Sequence, residues 1–178
     1  MNISQSDQCK LYRWSSLHDF RGGLSKVISC DDADPPFETR QLLVSSTLRA
    51  HTFRGFHSQI GTYSESKIVS CLEGSLLWFA VKPAKEQSDF RCFTFELTGG
   101  DCLFIPRGHL NGMLTTTDNV ELIIASDRCY SERAGVNINP KGNLFFKEEY
   151  LLYSIETAIR DEKTNLLRQD QYYQKFIS

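Results

Sequence analysis

Short apolar or alternating segments recur along most of this chain, and no segment with a helical period lies between them. Turn residues separate them, among them Glu73-Gly74, Lys82-Pro83 and the Pro-Arg-Gly at 106–108. This succession predicts an all-β fold in which antiparallel strands form a sandwich or a barrel. The predicted strands span residues 39–46, 50–59, 67–72, 76–81, 90–97, 102–105 and 120–126.

The C-terminal region has a different pattern, because its apolar residues follow helical spacing. They are Leu151, Leu152, Ile155 and Ile159, and Leu166 and Leu167 extend the stripe. We predict a helical region over about 148–178, with the stripe packed on the strands. The length of 178 residues and the hydrophobic content of 40% suit one domain, 1–178, with its barrel at about 37–140.

The composition argues against several classes of protein. A formal net charge of −2, with scattered lysines and arginines, provides no basic surface for nucleic acid. Residues 1–13 are polar and no apolar run is long enough to span a bilayer, so we expect a cytoplasmic protein without a membrane segment. The six cysteines form no CxxC pair and are predicted to be free, buried thiols in a reducing compartment.

The clearest chemistry lies in the segment 53–67. His57 precedes Lys67 by ten residues, and Lys67 opens the predicted strand 67–72. A histidine is a general base and a lysine is a cation, so together they can take a proton from carbon and stabilise the enolate that results. A lone histidine in an apolar strand is nevertheless more often structural, and a single strand lysine is usually a solvated charge.

Four motifs follow one another between Asp19 and about Pro140. They are Asp-Phe-Arg-Gly at 19–22, Arg-Gly-Phe-His-Ser-Gln at 54–59, Ile-Pro-Arg-Gly-His-Leu-Asn-Gly-Met at 105–113, and the segment 124–130, which ends in a tyrosine. In order and spacing they resemble motifs of the dTDP-4-dehydrorhamnose 3,5-epimerases, a family of sugar-nucleotide epimerases. The resemblance implies that family's fold, an antiparallel jelly-roll (cupin) barrel.

The same resemblance implies roles for individual residues. His57 would be the general base, Tyr130 the acid on the opposite face of the sugar ring, and Lys67 the group that stabilises negative charge. Asp161 is the tentative match for the carboxylate that orients the histidine. The substrate-binding residues would be Arg21, Arg54, Gln59 and Asn111.

Each role has a structural alternative. Tyr130 could be a surface tyrosine after a strand, and Arg54 and Arg21 could form ordinary surface contacts, although a guanidinium also suits a diphosphate. Asp161 could be a solvent-facing residue of the predicted helical stripe. In a regular strand Arg54 and His57 would point to opposite faces, so a shared site requires a bend or bulge at Gly55.

Metal ligands are scarce in this sequence. Metal-binding cupins usually present a His-x-His pair with a further glutamate and histidine, whereas Ser58 and Gln59 follow His57 here. The four histidines, at positions 18, 51, 57 and 109, do not readily form a three-histidine site. We predict no catalytic metal and no other cofactor.

Several positions depart from the family pattern. Asn111 stands where the family has histidine, so a neutral amide replaces a titratable group. Lys82 and Ala84 fall where an aspartate and an arginine are expected, and Lys26 replaces a glutamate. Compared with the family pattern, the segment after Tyr130 is about two residues shorter. These departures indicate an altered pocket.

The predicted function is therefore epimerisation at C3, C5 or both of a nucleotide-linked 4-keto-6-deoxy hexose, in deoxysugar biosynthesis. The substrate is expected to be dTDP-linked, and the resemblance implies a homodimer. Two alternatives stay open: a 3,4-ketoisomerase acting on a nucleotide-linked keto sugar, and a non-catalytic cupin that binds a sugar nucleotide.

Overall fold

The computed structural model describes residues 8–27, 37–83, 90–138, 140 and 166–167. Strands account for nearly all of the regular structure in these residues, together with one 3-10 turn at Gly61–Tyr63. The strands are β1 Lys10–Arg13, β2 Ser15–Asp19, β3 Gly22–Lys26, β4 Gln41–Thr47, β5 Phe53–Gln59, β6 Lys67–Glu73, β7 Ser75–Lys82, β8 Arg91–Thr98, β9 Asp101–Ile105, β10 Leu110–Thr115, β11 Val120–Ser126, β12 Gly135–Ile138 and β13 Leu166–Leu167.

Two large sheets carry most of these strands. A five-stranded sheet has the order β1-β9-β6-β11-β4, and a six-stranded sheet has the order β13-β12-β5-β10-β7-β8. Neighbouring strands are antiparallel except β12 and β13, which are parallel. The prediction of an all-β, mainly antiparallel fold is confirmed.

The main hydrophobic core lies between the two sheets. Side chains alternate between the faces of a strand, so each sheet turns every second residue toward the other sheet. The core cluster combines residues of the five-stranded sheet with residues of the six-stranded sheet, including Val69, Leu103 and Leu122 from the former and Leu76, Trp78 and Leu97 from the latter. A second apolar cluster, built around Phe53, Phe56 and Phe79, belongs to the six-stranded sheet.

The predicted C-terminal helical region, about 148–178, lies outside the described residues except for Leu166 and Leu167. These two residues form β13 and pair with Asn137 and Ile138 of β12. Extending the helical stripe to Leu166 and Leu167 was therefore wrong. A leucine pair fits a strand as well as a helix, and here the free edge of β12 supplies the backbone partners.

The cysteines of the described part are free, and they differ in burial. Cys9, Cys71 and Cys102 are buried, Cys92 is half-buried and Cys129 is exposed. The prediction of buried thiols is therefore wrong for Cys129, which follows the end of β11. In the described residues there is no helix with the length and apolar character needed to cross a membrane.

Candidate active site

A cavity of about 320 Å³ lies between the two sheets. From the six-stranded sheet, Arg54, His57, Trp78 and Asn137 line it, and from the five-stranded sheet, Ser45, Lys67 and Ile124. Ligand-binding cavities in proteins commonly have volumes of about 300–1,000 Å³ and combine apolar walls with a few polar groups. This cavity has both properties.

A bulge in β5 brings Arg54 and His57 to the same cavity. Against β10, His57 pairs with Asn111 and Gly55 pairs with Gly112, so two steps along β5 match one step along β10. Gly55 has a φ of 127°, a conformation that residues with a Cβ rarely adopt. The prediction that Gly55 bulges the strand is confirmed.

Replacing Gly55 with alanine is expected to destabilise the fold and misplace His57. A Cβ at this position would lie 2.6 Å from Gly112 Cα and 2.7 Å from Asn111 O, both backbone atoms of β10. Steric overlap and an unfavourable φ together predict a loss of about 2 kcal/mol or more in the free energy of unfolding. Denaturant titration measures this loss. The matched control is Gly61→Ala, at a positive φ with nothing within 4 Å, and equal losses for the two variants would contradict the steric argument.

His57 is neutral at pH 7. Removal from bulk water, followed by the positive charges of Lys67 and Arg54, lowers the pKa of the imidazole to about 4. The side chain is also exposed to water, because the cavity is open. Water at the ring weakens the first of these causes, whereas the two positive charges still lower the pKa of the imidazole. A neutral imidazole can accept a proton, so the base that the sequence predicts is in the state that its role requires.

Lys67 faces the cavity from the opposite wall, because β6 belongs to the five-stranded sheet and β5 to the six-stranded sheet. Its Nζ lies 2.8 Å from Glu65 Oε1, and both side chains are about nine-tenths buried, with exposures of 10% and 9%. Glu65 was missed in the sequence because it precedes the strand. Its spacing from Lys67 could have identified it, because residues two apart in an extended chain lie on the same face.

The Arg54 guanidinium bridges the two sheets at the edge of the cavity. Its Nη1 donates to Ser45 Oγ at 3.0 Å and to Thr47 Oγ1 at 3.5 Å, both on β4. Arg54 is exposed, and neither of these two hydroxyl groups carries a negative charge that would neutralise the guanidinium. An exposed, hydrogen-bonded guanidinium beside a cavity is suited to binding an anionic group.

Gln59 and Asn111 are buried and hold neighbouring elements of the protein in place. Gln59 Oε1 accepts from Ser131 N at 2.5 Å, and its Nε2 donates to Cys129 O at 3.3 Å, so it anchors the segment around Tyr130. Asn111 Oδ1 accepts from Trp78 Nε1 at 3.3 Å and thereby fixes a cavity-lining indole. Neither residue is among those that line the cavity.

Tyr130 lies outside the cavity lining and is 64% exposed. Its hydroxyl is next to Gly135 of β12, where a Cβ would lie 3.1 Å from it. Gly135 pairs with Gln59, and Asn137 pairs with His57. The phenol therefore lies about two residues, or roughly 7 Å, along the strands from the paired residues His57 and Asn137.

The two remaining predicted residues are not brought to this cavity by the described structure. Arg21 is on the exposed β2–β3 hairpin and forms an ion pair with Asp19, its neighbour two residues earlier. Asp161 lies outside the described residues. The roles assigned to these two residues and to Tyr130 stay predictions, as do the roles of the other site residues.

Asn137 is a cavity residue that sequence reasoning missed. It pairs directly with His57 across β12 and β5, so the two side chains leave the same face of the sheet side by side. The strand of Asn137 has only four residues, Gly135–Ile138, and although apolar and polar residues alternate in it, so short a segment was not recognised as a strand. Among the described residues, no group of three His, Cys, Asp or Glu side chains is arranged to hold a metal ion.

Solved structures share this fold. The dTDP-4-dehydrorhamnose 3,5-epimerase of Bacillus anthracis, with TDP and PPi bound, aligns with a TM-score of 0.70 and 18% identity over 80% of this chain and 87% of that one. A 3'-monoepimerase of Streptomyces bikiniensis in complex with dTDP-quinovose aligns with a TM-score of 0.66 and 15% identity over 100% and 98%. A sugar 3,4-ketoisomerase of Thermoanaerobacterium thermosaccharolyticum in complex with TDP aligns with a TM-score of 0.58 and 17% identity over 83% and 95%.

A comparison with curated protein sequences gives no significant match. The family comparison does, because the model of the dTDP-4-dehydrorhamnose 3,5-epimerase family matches residues 8–169. That match contains all four motifs and every described residue of the cavity. The protein belongs to the dTDP-4-dehydrorhamnose 3,5-epimerase family.

Proposed function

We propose that the protein is an isomerase that epimerises C3, C5 or both of a nucleotide-linked 4-keto-6-deoxy hexose. The observation that carries this proposal is the placement of His57 and Lys67 on opposite walls of one cavity. A hexose between the two sheets would have a neutral base on one side and an ammonium group on the other. Family membership supports the same reaction class.

The reaction begins with removal of a proton from the carbon next to the C4 ketone. Neutral His57 accepts this proton, and negative charge develops on the C4 oxygen as the enolate forms. Lys67 stabilises that charge, because a fixed cation in a partly dry cavity interacts strongly with a developing oxyanion. Its ammonium group has three N–H donors, of which the Glu65 contact uses one.

Inversion of the carbon requires a proton to arrive from the face opposite to His57. Tyr130 is the proposed donor, on the strength of its position in the 124–130 motif. Its exposed side chain would have to rotate toward the cavity. Tyr130 N donates to Gln41 Oε1 and Ser131 N donates to Gln59 Oε1, so the backbone about which the side chain would rotate is anchored beside β5. Asp161 is the proposed partner that orients the imidazole of His57.

The anionic part of the substrate is proposed to be a nucleoside diphosphate, with dTDP as the nucleotide. Arg54 supports this assignment because its exposed guanidinium lies at the cavity and can bind phosphate oxygens in pairs. Related structures carry TDP or a dTDP-sugar. Gln59 and Asn111 would contribute indirectly, since they position the Tyr130 segment and the Trp78 indole.

The finer architecture is also part of the proposal. We infer one domain over 1–178 in which the two sheets form a jelly-roll cupin barrel at about 37–140. Exposed apolar side chains support a homodimer, because Leu17, Phe20 and Leu24 of the β2–β3 hairpin are 74%, 98% and 72% exposed. The free thiols support a reducing, cytoplasmic location.

Solvent deuterium tests the proposed reaction. In D₂O, the protein is expected to place deuterium at C3, C5 or both of a dTDP-4-keto-6-deoxy hexose, because each proton removed is replaced from solvent. Proton NMR of the recovered sugar locates the label. Binding of the sugar nucleotide with no label at either carbon would contradict any epimerase and favour a binding module.

The second candidate function is a 3,4-ketoisomerase. The placement of Tyr130 outside the cavity lining favours it, because moving a carbonyl between C3 and C4 does not require a donor on the opposite face of the ring. Carbon-13 NMR of the product separates the two reactions. A ketone signal at C3 identifies the ketoisomerase, and a ketone retained at C4 with altered ring couplings identifies the epimerase.

A further inference from the structure

We infer that Glu65 is a positioning residue that holds the Lys67 ammonium in one direction on the cavity wall opposite His57. Through this contact Glu65 would determine how well Lys67 stabilises an enolate. The inference rests on the proposed function and assigns a part in it to a residue outside the four motifs.

The contact itself is a buried ion pair. Lys67 Nζ and Glu65 Oε1 are 2.8 Å apart, and the two side chains expose only 10% and 9% of their surface. A buried charge without a partner is costly, and the long side chain of a lysine has no single preferred direction. The Glu65 carboxylate offsets that cost and fixes the direction of one Lys67 N–H.

The backbone on both sides of Glu65 is anchored. Ser64 N donates to Gly61 O at 3.0 Å, and Ser64 Oγ accepts a hydrogen bond from Gly108 N at 3.1 Å. Ser66 N donates to Asp127 Oδ1 at 2.8 Å, and Ser66 O accepts from Asp127 N at 3.3 Å. Four hydrogen bonds at the two residues flanking Glu65 therefore fix the backbone from which its carboxylate reaches Lys67, which is how a preorganised site is supported.

The other charged groups around Lys67 do not replace Glu65. Across the cavity are His57 and the positively charged Arg54, and neither can act as a counter-charge for the Lys67 ammonium. On the neighbouring strands, the residues paired with Lys67 are Ile105 and Ser126, which carry no charge.

Asp127, the next residue after Ser126, is bound by Arg107 at 2.7 Å and by Ser66 N. Its carboxylate is therefore committed to other partners. Within the described part of the chain, Glu65 is the carboxylate in ion-pair contact with Lys67.

The test is the separation of kcat from KM for solvent exchange in Glu65→Gln. Glutamine keeps the size and one acceptor oxygen but removes the charge, so the Lys67 ammonium is held less firmly opposite His57. The kcat for deuterium exchange is expected to fall about tenfold or more, because a small displacement of a group that stabilises the transition state is costly. KM should change little, because Glu65 does not line the cavity. Glu65→Asp, which keeps the charge but withdraws it, should give a smaller loss.

The matched control is Glu73→Gln, an exposed carboxylate at the far end of β6 from Lys67, and its kcat and KM should equal those of the unaltered protein. A Glu65→Gln protein with the wild-type kcat, or with a loss that appears in KM alone, overturns the inference. If Glu65→Gln does not give a folded protein by thermal unfolding, the kcat and KM of Glu65→Asp decide in the same way. Absence of exchange in the unaltered protein would instead contradict the proposed function, so the two failures are distinguishable.

Discussion

Replacing His57 with asparagine is expected to lower kcat for solvent exchange by about 10²–10⁴-fold, the usual contribution of a positioned general base. Asparagine retains a polar side chain of similar length but cannot accept a proton near neutral pH. KM for the sugar nucleotide should change much less, because His57 acts on the reacting carbon, whereas Arg54 is the proposed contact for the diphosphate. Initial rates of deuterium incorporation measure both constants.

His51→Asn is the matched control for this variant. His51 is exposed, lies outside the cavity lining and has a φ of 58°, a conformation that asparagine adopts readily. Its exchange rate should equal that of the unaltered protein. An active His57→Asn protein would show that the imidazole is not the base.

The pH profile gives a second test of His57. Partial removal from water by the cavity walls and the positive charges of Lys67 and Arg54 lower the pKa of its imidazole, so the unprotonated base persists below pH 6.5. The acid limb of kcat/KM should therefore lie below the ordinary histidine pKa of about 6.5. An acid limb above that value would indicate that a carboxylate, such as the proposed Asp161, outweighs these effects.

Replacing Tyr130 with phenylalanine is expected to separate proton removal from inversion. The variant should still exchange deuterium through His57, but formation of the inverted product should fall by about 10²-fold or more, because phenylalanine has no proton to deliver. Its stability should hardly change, since the side chain is 64% exposed. NMR of one reaction in D₂O gives both rates, from loss of the C–H signal and from the appearance of the epimer.

Tyr63→Phe is the matched control, because Tyr63 is also an exposed tyrosine, at 48% exposure, and lies outside the cavity lining. Both of its rates should match those of the unaltered protein. Inversion by Tyr130→Phe at the wild-type rate would rule out the phenol as the donor. The ammonium of Lys67, on the wall opposite His57, would then be the group to test next.

Much of the fold could be predicted from sequence because its long strands carry local signals. β6 and β7 are apolar runs bounded by Glu73-Gly74 and Lys82-Pro83, and the structure has them within one or two residues of the predicted ends. The missed strands are β1, β2, β3, β10 and β12. All but β10 have only four or five residues, and Asn111-Gly112 interrupts the apolar residues of β10, so their pairing partners rather than their own composition determine that they are strands.

The site was predictable where motif and strand geometry agreed. The bulge at Gly55 followed from the opposite parity of Arg54 and His57, and it is present. Glu65 and Asn137 could not be found in the same way. Their importance comes from the folded arrangement, in which Glu65 contacts Lys67 and Asn137 lies across the strand pair from His57.

Asn111 departs from the family pattern, and the structure shows that its side chain is buried. The resemblance implies a substrate contact at this position, and that role stays a prediction. In the structure, the Asn111 side chain is buried and bonded to Trp78 Nε1 and His109 O. An amide satisfies both of these partners at once, since it can donate and accept at the same time.

The central claim is that one hexose lies between His57 and Lys67, and a crystal structure with a bound dTDP-4-keto-6-deoxy hexose tests it most directly. The account predicts the sugar ring between the two sheets, with the imidazole of His57 within about 3.5 Å of C3 or C5 and Lys67 Nζ within hydrogen-bond distance of the C4 oxygen. A sugar bound outside this cavity, or inside it with C3 and C5 both remote from the imidazole, would contradict the account.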